Sequence, residues 1–412
     1  MSAAGPEREG GARSGWREWL PYVLTALAVL LAWQIVAAFL VVRAPPAVAL
    51  TVAPGSALAL RRAAEAELAA KETEDAQALA AEALARAPFD ARALRTYGMG
   101  VAESGDLDRA DQLITLVGNW SLRDDQAHAW LIDRRLRQGR YGSAFAHADT
   151  LARRREGQQP QVFRLYSTAA KADPRALGAV VNLLATRPPW RSDYLTTLEN
   201  GNDNGLLLAN LALGLERTAA PFTEPELVVL YASWLKRQQV PGLKEIRRRL
   251  SRPPADVALP NASFERPEGP TPFDWMLPDQ PGLTAQITAD DLRPGRQALR
   301  VEYDGRSPGR AAEQLLMLEP GRYVFSGNQR AEAGGAEPRL RWLLSCYETG
   351  SDVIDLPVAP SRAGDRWETF QTSFSVPATN CTAQWLRLMP RAGDRRAASA
   401  VWFDDLAIRA AP

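Results

Sequence analysis

Leu20 to Val42 is a run of 23 residues without a charge. About 20 apolar residues suffice to cross the hydrocarbon core of a bilayer, and a single segment there must close its own backbone hydrogen bonds as a helix. Trp16 and Trp19 precede the run, where ring side chains suit the interface. Pro21 falls in the first turn, where a missing N–H costs little. The rival reading is a cleaved signal peptide, with Ala47-Val48-Ala49 as the processing site. The run exceeds the ~7–15 residues of a signal h-region, so a retained anchor over 20–42 is expected. Arg8, Arg13 and Arg17 precede the span, and only Arg43 follows it before Arg61. The positive-inside rule then puts residues 1–19 in the cytoplasm and the bulk of the chain outside. Ala/Arg-rich, Lys-poor usage fits a high-GC bacterial genome, so the expected location is the inner membrane with the bulk in the periplasm.

The charge balance, 49 basic against 48 acidic residues, argues against nucleic acid as a partner, which calls for a basic excess or patch. After a linker at 43–56, residues 57–158 are rich in Ala, Leu, Arg and Glu and poor in β-branched residues, which favours helix. A 34-residue spacing runs through them. Ala76, Ala110 and Ala144 obey it, as do Gly105 and Gly139, Ala93 and Ala127, and Tyr97 and Leu131. The glycines stand where paired helices would turn, and Leu113, Leu116 and Val117 give an apolar face. The segment resembles the tetratricopeptide repeat family through Leu94, Gly98, Gly105, Ala110, Trp130 and Tyr141. It departs from the family in that the closing proline is clear only at Pro88. The resemblance implies a stacked helical solenoid whose concave face takes a protein partner; the other reading is a helical spacer.

Residues 159–250 continue as helices with a blurred period, over Ala176–Leu184, Leu206–Leu215 and Glu226–Gln238. Pro188-Pro189 and the Asn200–Gly205 run interrupt them. Arg247-Arg248-Arg249 reads as favourable charge at a helix C-terminus. A polar, Pro-containing hinge is expected at 251–258.

From 259 the texture changes to short period-two runs separated by Gly, Pro, Asn and Asp. The runs are 298–303, 321–326, 340–346, 367–374, 384–388 and 401–408. That pattern predicts an antiparallel sandwich. Asn261-Ala262-Ser263-Phe264-Glu265 with Trp275, then Leu318-Glu319-Pro320-Gly321-Arg322-Tyr323, then Trp367 with Phe374, then Trp402-Phe403-Asp404-Asp405-Leu406 follow in order. Over 259–412 the chain resembles the jelly-roll carbohydrate-binding modules, also called galactose-binding-like. The resemblance implies glycan binding on exposed rings, for which Trp275, Trp342, Trp385, Tyr303 and Tyr347 are the candidates. Trp367 and Trp402, in phase with apolar neighbours, read as core. The resemblance also implies a structural calcium at Glu265 and Asp404 or Asp405; the other reading is an acidic pair closing a strand.

Cys346 and Cys381, the only cysteines, fall in this segment on the outer side of the membrane and read as a disulfide. The alternatives are two buried thiols or metal ligands, and without CxxC or a histidine in this domain zinc does not fit. The two histidines, His128 and His147, lie in the repeat helices. No Gly-x-Ser-x-Gly elbow, Walker loop or dinucleotide fingerprint stands in a strand–helix context. The expectation is therefore a multidomain α + β chain: one transmembrane helix, a tetratricopeptide-like α-solenoid and a C-terminal antiparallel jelly-roll sandwich. No enzyme activity is expected, and no cofactor beyond the structural calcium. The expected role is a scaffold of envelope or exopolysaccharide assembly or export that binds protein through its helices and glycan through its sandwich. The alternative is a protein-only organiser of an envelope complex.

Overall fold

The computed structural model describes residues 16–201, 204–250, 257–360, 365–391 and 397–411. Arg8 and Arg13, Asn202 and Asp203, and hinge residues 251–256 with Pro253-Pro254 lie outside them. The chain divides into two compact units, Met1–Val162 and Phe163–Pro412.

The first unit begins with α1 (Trp16–Arg43), of which Trp19–Arg43 is long and apolar enough to cross a membrane. Leu24, Leu27, Leu31 and Phe39 are exposed on it, as a membrane helix requires. A membrane anchor and a signal sequence both fit this helix. The stretch expected as a linker carries a short helix, α2 (Pro46–Val52), started by a proline at N1 and buried at Ala49. Arg62 donates to the carbonyls of Val41 and Ala44, closing the last turn of α1 with a cation.

Three helical hairpins follow: α3 (Ala57–Ala70) with α4 (Thr73–Arg86), α5 (Ala91–Glu103) with α6 (Leu107–Trp120), and α7 (Asp125–Arg137) with α8 (Tyr141–Arg154). Their first helices start at 57, 91 and 125 and their second helices at 73, 107 and 141, which is 34 residues each time. The periodic alanines are the close-packing points: Ala76, Ala93, Ala110, Ala127 and Ala144 have no exposed surface. Gly105 and Gly139 turn the second and third hairpins with φ of +96° and +67°, a region open to glycine at little cost. The equivalent residue of the first hairpin is Lys71, held at φ +67°.

An ionic staple follows the same period. Arg61 reaches Asp90 at 3.0 Å, and 34 residues on Arg95 reaches Asp124 at 2.7 Å. Each aspartate is also the N-cap of the next hairpin, accepting from Ala93 N and Ala127 N respectively.

In the second unit, α9 (Gln159–Ala172, crossing the unit boundary), α10 (Pro174–Ala185), α11 (Arg191–Asn200), α12 (Gly205–Leu215), α13 (Glu224–Lys236) and α14 (Val240–Leu250) precede the strands. Phe163, Tyr166, Trp190 and Tyr194 form one aromatic cluster. Beside it the buried Arg191 grips Glu226 through two bonds of 2.7 and 2.8 Å and donates to the carbonyls of Leu184, Ala220 and Pro221. Glu226 in turn accepts from Thr223 N in a capping box that starts α13.

The sandwich is antiparallel. One sheet orders β1 (Leu283–Ala289), β2 (Gln297–Tyr303), β9 (Ser399–Ala410), β4 (Gly321–Ala331) and β7 (Glu368–Val376) as 1-2-9-4-7. The other orders β3 (Ala312–Leu316), β8 (Gln384–Pro390), β5 (Leu340–Cys346) and β6 (Asp352–Pro357) as 3-8-5-6. Alternation sends Leu299, Val301, Phe325, Leu344, Leu386 and Phe403 into the shared core. Trp342 sits among Trp275, Phe325 and Phe403 at centroid distances of 5.3–6.0 Å, edge to face. The Cys346–Cys381 disulfide ties the end of β5 to the approach of β8.

Helices α13 and α14 touch the sandwich. Tyr231 meets Phe273 edge-on at 5.0 Å, and the Arg247 guanidinium lies 4.5 Å from the same ring. Lys244 pairs with Glu319 at 2.6 Å, and the Tyr347 hydroxyl donates to Leu235 O at 3.0 Å. Arg247 is therefore a buried contact, not only a charge at a helix end.

Candidate functional site

The pairing of β2 with β9 sets Tyr303 opposite Ser399 and Glu302 opposite Ala400, while β1 sets Thr284 opposite Glu302. At this end of the three strands a cavity of about 540 Å³ opens. Small residues form much of its wall: Gly282, Gly334, Gly335, Ala398 and Ala400. Gly282, at φ +80°, cannot be replaced without strain, since a Cβ there would fall 2.4 Å from Ser307 Oγ and 2.6 Å from Asp304 Oδ2.

The polar lining comes from Thr284, Arg300, Glu302, Tyr303, Asp304, Glu332 and Ser399. Arg300 Nε and Nη2 hold Glu332 at 2.7 and 3.3 Å, and its Nη1 donates to Glu302. The Trp402 indole N–H donates to the same Glu332 at 2.7 Å. The Arg300 bond holds the Glu332 carboxyl below its usual range, and Glu332 raises the guanidinium in return. Tyr303 and Ser399 are 2% and 6% exposed, and neither hydroxyl has a hydrogen-bond partner among the described residues. Burial, then the Asp304 carboxylate, raises the Tyr303 phenol against the pull of Arg339, so it stays a protonated donor.

The five aromatic candidates do not assemble into a platform. Trp275 and Trp342 are 1% exposed in the core, and the Tyr303 ring is buried with them. In a sandwich core the largest rings fill the space between sheets, which removes these three as stacking faces. Trp385 is half-buried with Arg387 5.1 Å from its ring centroid, and Tyr347 is committed to Leu235.

Trp367 and Trp402, expected in the core, lie outside it. Strand alternation turns Trp402 away from its core neighbours Val401 and Phe403. There Arg300, Trp402, Arg330, Trp367 and Arg293 alternate as a ladder, with guanidinium-to-ring distances of 5.6, 4.6, 5.7 and 4.0 Å. Its middle rung, Arg330, has a fully buried side chain and is neutralised by Asp291 and by Asp365 at 2.7 Å.

The carboxylates expected to hold calcium carry arginines instead. Arg293 reaches Asp404 at 2.5 Å, while Arg296 spans Asp405 at 2.8 Å and Glu265 at 2.8 Å. Burial raises the Asp404 carboxyl, partly offset by these two cations. Two fixed guanidiniums fill the role of a bound cation, and these residues do not converge as an ion cage. Among the described residues no group of three or more His, Cys, Asp or Glu could hold a metal ion.

The first unit carries a second concavity, of about 420 Å³, lined by Arg92, Arg95, Arg123, Asp124, Asp125 and Arg155. Most of its charge is spent internally: Arg92 and Arg95 bind Glu65, and Arg155 binds Asp125.

No protein-family model and no curated protein matches the chain. Among solved structures, the sandwich is similar to carbohydrate-binding modules. One is the CBM22-1 xylan-binding domain from Paenibacillus barcinonensis Xyn10C, 20% identical, covering 36% of this chain and 91% of that one with a TM-score of 0.28. A CBM4 structure is 15% identical, covering 37% and 99%, with a TM-score of 0.29. A family 16 carbohydrate-binding module is 13% identical, covering 37% and 99%, with a TM-score of 0.28. At such scores the likeness decides neither ligand nor role.

Proposed function

We propose that the protein is a non-catalytic, membrane-anchored scaffold that binds glycan through the strand-end cavity of its sandwich. The observation that carries this reading is the cavity itself, an open polar recess whose lining includes two buried hydroxyls without partners. Buried polar groups are costly unless satisfied, and a saccharide offers hydroxyls to satisfy them. The 34-residue hairpins, read as tetratricopeptide-like repeats, bind a protein partner. The helix at 19–43 is the anchor, with the N-terminus in the cytoplasm and the bulk in a bacterial periplasm. The setting is envelope or exopolysaccharide assembly or export.

A second reading has support of its own. With Trp275, Trp342 and Tyr303 buried and Tyr347 occupied by α13, the sandwich lacks the stacking rings expected of a sugar platform. A protein-only organiser of an envelope complex fits that finding. The deciding measurement is binding of the detergent-solubilised full-length chain to a panel of bacterial polysaccharides. Retention that is lost in Tyr303→Phe with Ser399→Ala supports the glycan reading. No retention by folded protein supports the organiser.

A further inference from the structure

The ionisable lining of the strand-end cavity is unbalanced. Glu302, Asp304 and Glu332 face a single cation, Arg300, and that cation is already bound to Glu332 and Glu302. The Glu332 carboxyl, held below its usual range, stays ionised at neutral pH, as do ordinary carboxylates. Asp304 closes a local turn, accepting from Arg306 N and Ser307 N at 2.9 and 2.8 Å. Glu302 keeps more than half of its side chain exposed, with one arginine partner among the described residues. The cavity thus offers hydrogen-bond acceptors and net negative charge, beside two hydroxyls able to donate or accept. A uronate, sulfate or phosphate on a glycan would meet like charge. A sugar carrying a protonated amine would bring both the missing charge and hydroxyls for Tyr303 and Ser399.

We propose that the cavity selects amino sugars with free amines, with Glu302 as the residue that recognises the ammonium group. This rests on the glycan-binding reading above and narrows it to a substrate class. Small wall residues leave room for a pyranose, and the recognition is by hydrogen bonds and charge, not by ring stacking.

The test uses the detergent-solubilised full-length chain at mildly acidic pH and four probes: a β-1,4-glucosamine hexamer, its fully N-acetylated counterpart, an oligogalacturonate and spermidine. The glucosamine hexamer is expected to bind at least about fivefold more tightly than the acetylated one, the size of one partly exposed ion pair. That preference should vanish in Glu302→Gln, an exposed site where the fold is not at risk, while Tyr303→Phe weakens both oligomers. Equal binding of the two hexamers, or tighter binding of the galacturonate, overturns the amine preference and leaves the glycan reading standing. An unchanged preference in Glu302→Gln also overturns it. Spermidine binding as tightly as the hexamer shows an amine site indifferent to sugar and overturns it too. If no oligosaccharide binds, the glycan reading falls with it.

Discussion

His128 on α7 and His147 on α8 hold their Nδ1 atoms 3.1 Å apart, with the rings tilted at 46°. That geometry suits two neutral rings sharing one proton and has no room for two charged ones. Burial, then the neighbouring His128 and Arg135, pulls His147 from 6.5 to about 4; burial also lowers His128, where Asp124 and Asp125 oppose and Arg154 assists. Gly118 of α6 closes the pocket, its α-carbon leaving the Cε1 atoms of both rings within 4.0 Å of where a Cβ would stand. A histidine whose folded pKa is depressed favours the native state above its unfolded pKa. Stability is lost as pH falls from about 6.5 toward 4, because the unfolded chain takes up the proton first. For His147 alone the loss between pH 7 and pH 5 is at most about 2 kcal/mol. The perturbation is His147→Gln, which keeps a partner for His128 and cannot titrate. The assay is amide hydrogen exchange of the full chain at pH 7 and pH 5, corrected for intrinsic rates, with the sandwich strands as internal control. Protection of α7 and α8 should fall at pH 5 in the parent and fall much less in His147→Gln, with the strands unchanged. Equal loss in both proteins, or none in the parent, would refute the reasoning.

Four further outcomes follow from geometry. Lys71→Gly should stabilise the first hairpin by about 0.5–1 kcal/mol, relieving a left-handed lysine at the position where the next two hairpins carry glycine, and thermal unfolding would show it. Cys346→Ser should cost the sandwich about 4 kcal/mol by the chain-entropy argument for a separation of 35 residues, measured by urea unfolding. Calcium or EDTA should leave the melting temperature unmoved, whereas Arg293→Met should lower it, because the guanidinium sits among Asp290, Asp404 and Asp405. Arg191→Ala should destabilise the second unit by about 3–5 kcal/mol by leaving Glu226 buried without its partner, read by denaturant melts.

The helical hairpins were legible because a 34-residue period in small residues is a packing requirement: an alanine with no exposed surface cannot drift. The strands 297–303, 340–346 and 384–390 were legible for a similar reason, since alternation records one buried face. β3 was missed because Ala312–Leu316 is buried on both faces and does not alternate; Leu315 N bonds Pro272 O, and Met276 bridges Glu313 on its other side. β1 and β6 were missed because edge strands with polar residues carry little pattern. The site was harder to read. Trp402 lies between Val401 and Phe403, so composition alone could not say which of the three turned outward. Arg330 looked like surface, and its burial depends on Asp291 and Asp365, which are distant in sequence. The cavity's signal was present but faint, in the small residues Gly334, Gly335, Ala398 and Ala400 flanking charged strand ends. The Arg–Asp staple was readable, as Arg61 and Arg95 share the alanines' spacing, but a charge pair 29 residues apart draws no notice without the fold.

That staple makes the array modular in a definite sense. Asp90 and Asp124 each end one hairpin's ionic contact and begin the next hairpin's first turn, so the junctions are interchangeable. Excising residues 91–124 would join Asp90 directly to Asp125 and leave every surviving junction in phase, whereas removing any other length would strand an arginine opposite the wrong turn. Duplication or loss of whole 34-residue blocks is therefore the cheap way for such a chain to change its reach, and single-residue insertions in the hairpins are the expensive one.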